Sequence, residues 1–447
     1  MNKVMAKLFP FKGILYNKKK LKNPAKVMSP PYDVVSPNLR DELYKQSEFN
    51  VIRLILGKEF PGDTEYNNKY VRAATSFSGW LRHEVLIEDL KPAIYVYEQV
   101  FSVKRHKYRR LGFIALLRLE DMGRGKVFPH EETLSKPKLD RIELIRATAA
   151  NLDCVFAMFS DEKLKVVKAL KPATKRKPTI EVKDHENTIN RLWRVDQRSV
   201  IGKIVKEMKD KPVFIADGHH RYEAALRYKA EMREKNTRFT EEESYNHIMM
   251  YFAPVENPGL VVLPIHRLIR PLPYLEVSRF EEELKNYFEV MEYPFGPRTL
   301  EKQKAKLLRE IEKRQGRHAF GMIIKEVNKL YLLVLRNPEA VDMLVEEEKP
   351  ETWKRLDVTI LRALVLEKIL NVPNEEYLAF TKDADEAIDK VRNGEFQIAF
   401  LLNPTQISDI LTIASKFEKM PQKSTYFYPK LLTGLVMHRI VHGEKVA

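Results

Sequence analysis

The pattern of apolar and polar positions changes abruptly near the middle of the chain. Val213 to Ile215 is a short apolar run typical of a buried strand, and Asp217-Gly218 interrupts it. From Arg221 onward, apolar residues recur at helical spacing as far as Met232. The pattern therefore predicts a strand, a tight turn and a helix, with the sequence Asp-Gly-His-His-Arg in the turn.

Periodicity predicts further elements on both sides of this turn. Strands are predicted over 50–57, 93–103, 110–119, 154–159, 247–254, 259–268, 319–324 and 330–335, and helices over 64–86, 141–151, 198–209, 275–290, 299–314 and 353–370. The basic turn 104–107 is expected to join 93–103 and 110–119 as a hairpin, and 319–324 and 330–335 are expected to form another. In the polar stretch 161–195, only a short β stretch near Leu192-Trp193 is expected. Ser36-Pro37 is typical of an N-cap and a first helical residue. This mixture predicts an α/β (α+β) fold with a mixed sheet around 213–216, and a cleft lined by the turn and by 129–141.

Composition places the chain among globular proteins with more than one domain. Its 447 residues are enough for two or three domains, and 44% are hydrophobic and 31% charged. Cys154 is the only cysteine, so a disulfide framework within the chain is excluded. Such sparing use of cysteine fits a reducing cytosol, and together with the high charge it fits a thermophilic source. Since no apolar run reaches about eighteen residues and no secretory signal is visible, we expect a cytoplasmic protein without a membrane span.

A net charge of +16 indicates an anionic partner, either nucleic acid or a phosphorylated small molecule. The basic residues are spread along the chain, with local clusters at 18–20 and 175–177. Both clusters lie in polar, proline-containing stretches typical of solvated loops, and no helix-turn-helix pattern is present. The sequence therefore favours small-molecule substrates, and a nucleic-acid partner is not expected.

The central turn has residues suited to phosphate. A helix N-terminus offers free N–H groups and partial positive charge, and Arg221 adds a planar guanidinium. Asp217 is suited to holding a divalent cation or orienting a hydroxyl group. The alternative is that His219 and His220 are structural, but two adjacent histidines directly after Asp-Gly favour a functional site.

A second polar stretch covers residues 129–141. Glu131, beside His130 and behind a proline, is a candidate general base, and Lys136, Lys138 and Arg141 are candidate phosphate ligands. Hydrophobic periodicity stops here while charges of both signs accumulate. Such a stretch is either a solvated connection or a functional site.

Two more segments have open interpretations. Pro30-Pro31 fixes an extended backbone that can aim Tyr32 and Asp33 at a neighbour, or it forms a simple turn. Lys423-Ser424-Thr425 supplies three donors suited to phosphate, or it belongs to a surface strand. Walker A, Gly-x-Gly-x-x-Gly, Gly-x-Ser-x-Gly and His-Glu-x-x-His motifs are absent from the sequence.

The polar stretches together resemble known motifs. Pro129-His130-Glu131, then Asp217 to Arg221, then Lys423-Ser424-Thr425 before Pro429 are similar to the motifs of free serine kinases in the ParB/sulfiredoxin-like superfamily. Nearly the whole chain also resembles a larger family catalogued as a domain of unknown function. That resemblance rests on the Ser-Pro-Pro-Tyr-Asp, Asn-Val-Ile-Arg-Leu, Pro-His-Glu-x-Thr, Asp-Gly-His-His-Arg and Lys-Ser-Thr-Tyr-Phe-Tyr-Pro-Lys segments.

The resemblance implies a domain division and a role for each matching residue. A ParB/sulfiredoxin-like core is expected over 121–270, with an N-terminal extension over 1–120 and a C-terminal α/β domain over 271–447. Glu131 and Asp217 are the expected catalytic residues. The expected phosphate ligands are His219, His220, Arg221, Lys136, Lys138, Arg141, Lys423, Ser424, Thr425 and Lys430, and the expected substrate ligands are Tyr32, Asp33 and His130.

The implied reaction is phosphorylation of free L-serine to O-phosphoserine. Pyrophosphate is the favoured donor and ADP or ATP the alternative, with Mg²⁺ held through Asp217. A second hypothesis is a ParB-like nucleotide-binding or nucleotide-hydrolysing module acting with nucleic acid. A sulfiredoxin-like activity would need a cysteine in the turn, where histidine stands instead.

Overall fold

The computed structural model describes residues 6–123, 125–133, 135–345, 348–372 and 374–446. The helices are α1 (Pro37–Gln46), α2 (Ile52–Ile55), α3 (Lys69–Arg82), α4 (Ser135–Thr148), α5 (Lys165–Thr174), α6 (Arg198–Met208), α7 (His219–Lys235), α8 (Val277–Tyr287), α9 (Leu300–Lys313), α10 (Glu351–Lys354), α11 (Asp357–Ile360), α12 (Ala384–Arg392) and α13 (Ile407–Ser415). A π-helix, Leu361–Ile369, continues α11.

The strands occur singly and in runs between these helices. They are β1 (Leu8–Phe9), β2 (Ile14–Tyr16), β3 (Leu86–Glu88), β4 (Ile94–Val103), β5 (His106–Arg118), β6 (Val127–Phe128), β7 (Ala150–Asn151), β8 (Val155–Phe159), β9 (Ile180–Lys183), β10 (Ile189–Val195), β11 (Val213–Asp217), β12 (His247–Pro254), β13 (Val261–Leu263), β14 (His266–Ile269), β15 (Phe288–Pro294), β16 (Ala319–Ile324), β17 (Lys329–Leu335), β18 (Leu378–Thr381), β19 (Ile398–Leu401), β20 (Tyr426–Tyr428) and β21 (His438–Arg439). The mixed α/β class expected from the sequence is confirmed.

The chain divides into two compact units. The first contains the described residues up to Pro129, Thr133–Val261 and the residues from Pro429 onward, and the second contains His130–Glu132 and Val262–Tyr428. This division differs from the expected three parts. Residues before and after position 120 share one sheet, because β5 pairs with β12 and β12 pairs with β8.

The first unit is built on a mixed sheet in the strand order β6-β11-β8-β12-β5-β4-β10-β9, with β1 paired to β5. Strand β11 pairs parallel with β6 and antiparallel with β8. Every residue of β8 and β12 is buried, which explains why these strands are continuous apolar runs rather than alternating ones. The predicted mixed sheet around 213–216 is therefore confirmed.

The last segment of the chain returns to the first unit. Strand β21 pairs with β7, and isolated bridges join Ser29 to Thr433 and Ile14 to Met437. Gly434 has φ +99°, and an added Cβ would lie 3.3 Å from side-chain atoms of Met28. Only glycine fits this close approach without strain. These contacts place residues 429–432 beside the sheet of the first unit.

The second unit has an antiparallel sheet in the order β15-β17-β16-β19-β14-β18. The predicted hairpin of β16 and β17 is confirmed, and so are helices α8 and α9. The predicted single helix over 353–370 is instead divided into α10, α11 and the π-helix.

Three local predictions in the first unit were wrong. Residues 50–57 form helix α2 instead of a strand, because the side-chain amide of Asn50 donates to the carbonyls of Lys26 and Met28 and its oxygen accepts from the Ile52 N–H. Helix α4 begins at Ser135, inside the expected polar loop. Residues 161–195 form α5, β9 and β10 where only a short β stretch was expected.

Buried histidines in both units predict a loss of stability in mild acid. Burial lowers the pKa of His247 to about 4 and that of His266 to about 4. The unfolded chain takes up protons below about pH 6.5 while the folded chain does not, so stability falls as pH decreases from about 6.5 to about 4. His247→Gln should reduce the loss of unfolding free energy between pH 7 and pH 5 by about 2 kcal/mol.

Urea unfolding at the two pH values measures this difference. His106→Gln is the matched control, because His106 is exposed at the start of β5. A His247→Gln variant with the same pH dependence as the wild type would show that this histidine does not stay neutral in the fold.

Candidate functional site

The central turn has a geometry that requires glycine. Strand β11 ends at Asp217, Gly218 has φ +90°, and α7 begins at His219. A Cβ added to Gly218 would lie 2.8 Å from Nε of Arg221, closer than real contacts allow. The predicted strand, turn and helix are confirmed, and the glycine permits Arg221 to fold back over the turn.

Asp217 is held between two cations. The Lys430 ammonium donates to Oδ1, and Nη2 of Arg221 donates to Oδ2 at 2.9 Å. The three side chains are 16%, 12% and 10% exposed. Burial alone would raise the pKa of Asp217, but the charges of Lys430 and Arg221, with a smaller contribution from His219, lower it to about 2. Asp217 is therefore ionised at any physiological pH.

Arg221 also contacts a second carboxylate. Its Nη1 lies 3.2 Å from Oδ2 of Asp153 and donates to the carbonyl of Cys154. Burial opposes the charge, but Asp153 and Asp217 raise the pKa of Arg221 above its ordinary value. Both terminal nitrogens are thus engaged within the protein, which leaves no open fork of the kind expected for phosphate. Among the described residues, Nε has no hydrogen-bond partner.

Arg141 lies near Arg221 and is only 6% exposed. Its guanidinium packs 3.9 Å from the centroid of the Tyr32 ring, and it bonds to Asp140 and to the Ile55 carbonyl. Within the described part of the chain, its Nη1 lacks a hydrogen-bond partner. A cavity of about 40 Å³ is lined by both arginines and Asp153. That volume suits one water molecule, not a phosphate.

Tyr32 and Asp33 belong to the same cluster. Burial raises the pKa of Tyr32 well above its ordinary value, and the charges of Arg141, Asp33 and Arg221 act on it. Asp33 is exposed, and its charge contributes to the raised pKa of Arg221. The structure therefore brings these predicted substrate residues close to the central turn.

A buried polar network positions Lys430. Nη2 of Arg110 donates to the Pro429 carbonyl, and Nε2 of Gln99 donates to the Lys430 carbonyl at 3.0 Å. The hydroxyl of Tyr97 accepts from the Leu432 N–H at 3.2 Å. Three side chains from β4 and β5 thus fix the backbone on both sides of Lys430.

The remaining expected ligands of the first unit lie on helices. Lys136 is exposed on α4, and Lys138 forms an ion pair with Glu223 at 3.1 Å. His219 is 4% exposed at the start of α7, and the neighbouring His220 is half-buried. Arg141 is the member of the predicted 136–141 set that lies in the cluster.

The other expected residues belong to the second unit. Oε1 of Glu131 accepts from the Lys423 N–H at 2.5 Å, and His130 hydrogen-bonds the Thr425 hydroxyl at 2.9 Å. Ser424 is buried, and its hydroxyl donates to the Pro421 carbonyl. Residues 130–131 thus contact residues 420–425 within this unit. Ser424 and Thr425 use their hydroxyls within the fold, contrary to the open phosphate donors expected.

Arg267 is a further cation near Glu131, and no sequence motif indicated it. Burial lowers its pKa to about 10, although the Glu131 carboxylate opposes the shift. Its Nη2 donates to the Lys423 carbonyl at 3.0 Å. Asp153, Arg110 and Gln99 were also missed, because each acts through a partner distant in sequence. The one local signal for a functional residue was the position of Asp153, a charged residue just before the apolar strand β8.

The described residues contain neither a metal-binding cluster nor a membrane span. No group of three or more His, Cys, Asp or Glu among them is placed to hold a metal ion. Both carboxylate oxygens of Asp217 already contact cationic side chains, which does not fit the predicted Mg²⁺ ligand. Of the helices in the described ranges, none has the length and apolar character to cross a bilayer.

Comparison with known proteins identifies the family. Residues 8–359 match the model of a family described as "Protein of unknown function (DUF1015)", and the chain belongs to this family. The recognition made from the motifs is therefore confirmed. Comparison with curated proteins found no match.

Solved structures show a weak likeness. A conserved hypothetical protein from Pyrococcus furiosus is 13% identical over 68% of this chain and 90% of its own, with a TM-score of 0.32. A free serine kinase in complex with AMP is 13% identical over 67% and 83%, with a TM-score of 0.32. SbnI from Staphylococcus aureus, with a C-terminal truncation, is 8% identical over 69% and 82%, with a TM-score of 0.33. This likeness does not assign an activity to the chain.

The geometry of the turn makes Gly218→Ala destabilising. The substitution forces an alanine into φ +90° and pushes a methyl group against the Arg221 guanidinium. The unfolding free energy should fall by about 1–3 kcal/mol. Gly202→Ala in α6 is the control, because a Cβ there meets nothing within 4 Å and should stabilise the helix by up to about 1 kcal/mol.

Urea denaturation measures both variants. Equal stability of Gly218→Ala and the wild type would mean that the turn can relax without this glycine, and that Arg221 does not need the close approach.

Proposed function

We propose that this protein is a phosphotransferase that converts free L-serine to O-phosphoserine with pyrophosphate as the phosphoryl donor. The observation that carries the proposal is the buried ionic cluster in which Lys430 and Arg221 hold Asp217. The choice of acceptor and donor comes from the resemblance of the sequence motifs. The two cations at this cluster support phosphate chemistry there.

Phosphoryl transfer needs positive charge placed in advance around the phosphoryl oxygens. Lys430 has this property, because its backbone is fixed by Arg110 and Gln99 and its ammonium already contacts an anion. An incoming phosphate would compete with Asp217 for that ammonium. Lysine binds phosphate as a point charge and needs no fork geometry. Lys430 is therefore the proposed donor-phosphate ligand, with Arg221 holding Asp217 in place.

The acceptor hydroxyl needs a group that takes its proton. The motif resemblance assigns this role to Glu131, which stays a prediction. Asp33 is the second candidate, because its carboxylate is exposed and acts electrostatically on Arg221 within the first unit. A carboxylate within hydrogen-bond reach of the hydroxyl contributes about 10²–10⁴-fold to such a transfer.

Magnesium also stays a prediction, and it has no preformed site among the described residues. In this proposal it enters as part of the donor complex, where it would neutralise part of the phosphate charge. Pyrophosphate is favoured over a nucleotide because the sequence has no Walker A loop and no Rossmann motif. A compact polyanion needs cations but no pocket for a base or ribose.

One assay tests the proposal. Purified protein with Mg²⁺ and L-serine is given pyrophosphate, ADP or ATP in separate reactions, and O-phosphoserine is measured. We expect product with pyrophosphate, because the cluster supplies charge without a nucleotide-binding motif. Product with a nucleotide and not with pyrophosphate would overturn the donor while keeping the kinase. Absence of product with every donor would refute both.

Lys430→Met links this activity to the cluster. Loss of the ammonium should lower kcat/KM for the donor by about a hundredfold, because one preorganised positive charge that contacts the phosphate is removed. Lys203→Met is the control, since Lys203 is exposed on α6. Thermal unfolding of each variant checks that the fold persists. Unchanged donor kinetics in folded Lys430→Met would place the phosphate elsewhere.

A further inference from the structure

The net positive charge of the chain is concentrated in three segments of the first unit. Residues 17–32, 99–119 and 163–180 hold 18 of the 78 Lys and Arg residues and none of the 62 Asp and Glu residues. The rest of the chain has 60 basic against 62 acidic side chains and is therefore nearly neutral. The clusters at 18–20 and 175–177, which in the sequence are typical of solvated loops, belong to two of these segments.

The fold brings the three segments together at one edge of the sheet. The 3₁₀ turn Pro24–Lys26 packs against β9, which is the last strand in the sheet order. Strand β9 pairs with β10, and β10 pairs with β4, which forms a hairpin with β5. The segment 163–180 contains α5 and leads directly into β9. Cations distant in sequence, one pair from each segment, therefore meet at one surface: Lys18 and Lys22, Lys107 and Arg109, and Arg176 and Lys177.

Two adjoining grooves lie on this surface, and we name them together the basic groove. The larger, of about 680 Å³, is lined by the cations Lys107, Arg109, Arg176 and Arg191. The smaller, of about 400 Å³, is lined by Lys18, Lys22 and Lys177. The two grooves share Pro178 and Glu181. Glu98 and Glu181 are the acidic side chains that line them, so cations outnumber carboxylates by seven to two.

A buried carboxylate orders two of these cations. Glu98 is 2% exposed and accepts from Nε of Arg109 at 2.5 Å and from Nη1 of Arg191 at 3.1 Å. Arg191 also donates to Glu181 at 2.7 Å. The Arg109 side chain is still 55% exposed. Arginines fixed in this way lose less conformational entropy when they bind an anion.

Aromatic and apolar side chains lie between the cations. Tyr108 is half-buried in the larger groove and stacks on Phe101 with ring centroids 5.6 Å apart, and Trp193 and Val100 line the same groove. Cations that follow a phosphate backbone, combined with aromatic faces on which bases stack, are the features of sites for single-stranded nucleic acid. Inorganic polyphosphate has no planar group for these faces, and a duplex keeps its base faces stacked inside.

We propose that the basic groove binds single-stranded nucleic acid, with its phosphates on Lys18, Lys22, Arg176 and Lys177 and a base on Tyr108. Asp217, Arg221 and Lys430 do not line this groove, so the inference does not depend on the phosphotransferase activity.

Fluorescence anisotropy of the full chain with a labelled single strand of about 20 nucleotides tests the proposal. We expect binding that weakens with salt, with a log–log slope of about −0.7 for each phosphate contacted. Replacing Lys18, Lys22, Arg176 and Lys177 by Gln should weaken binding about tenfold or more and flatten the slope. Tyr108→Ala should weaken it about fivefold or more without changing the slope, and Tyr108→Phe should not.

The control variant removes the same charge elsewhere. Lys285, Lys302, Lys313 and Lys416 are exposed in the second unit, and their replacement by Gln should leave affinity within about twofold. Absence of binding, or equal losses in both four-residue variants, would refute the groove. Unlabelled single strand should compete best with the labelled strand. If inorganic polyphosphate, a matched duplex or anionic vesicles displace the labelled strand more strongly, the choice of ligand is overturned.

Discussion

The candidate site depends on the contact between Lys430 and Asp217, which are 213 positions apart in the chain. Removing a carboxylate and an ammonium from water costs several kcal/mol per ion, and their attraction offsets this only when all partners are in place. Asp217 meets that condition through two cations, and Arg221 meets it through a second carboxylate, Asp153. The cluster is therefore a set of mutually dependent charges, and the loss of one would leave another buried and uncompensated.

This dependence explains why the chain returns to the first unit after Tyr428. Arg110 is fully buried, and burial lowers its pKa, yet it is held by the Pro429 carbonyl, by Gln99 and by the Phe156 ring at 4.7 Å. A buried arginine with several partners restricts the backbone that it contacts to one arrangement. The geometry of Lys430 is therefore a property of the β4–β5 hairpin and not of the C-terminal segment alone.

The sequence predicted those parts that local chemistry determines. The β11–α7 turn follows from a short apolar run, a glycine and helical spacing, and the β4–β5 hairpin follows from two apolar runs around a basic turn. Helix α2 was missed because the side chain of Asn50 fixes it through contacts with residues 26–28. The roles of Asp153 and Arg110 could not be predicted, since their partners are defined only by the fold. The basic groove was missed for the same reason, because its cations come from four distant parts of the chain.

The electrostatics of the cluster also limit what can control its pH dependence. Asp217 has a pKa of about 2, and the pKa of Arg221 is raised, so neither group changes charge between about pH 5 and 9. The charges of the Asp217–Arg221 pair, which holds the carboxylate that Lys430 contacts, are therefore constant over that range. The phosphate group of phosphoserine itself titrates near pH 6. In the proposed phosphoryl transfer, any change in turnover between about pH 5 and 9 must then come from the reactants or from groups other than these two. A pH profile would therefore report on the proton acceptor.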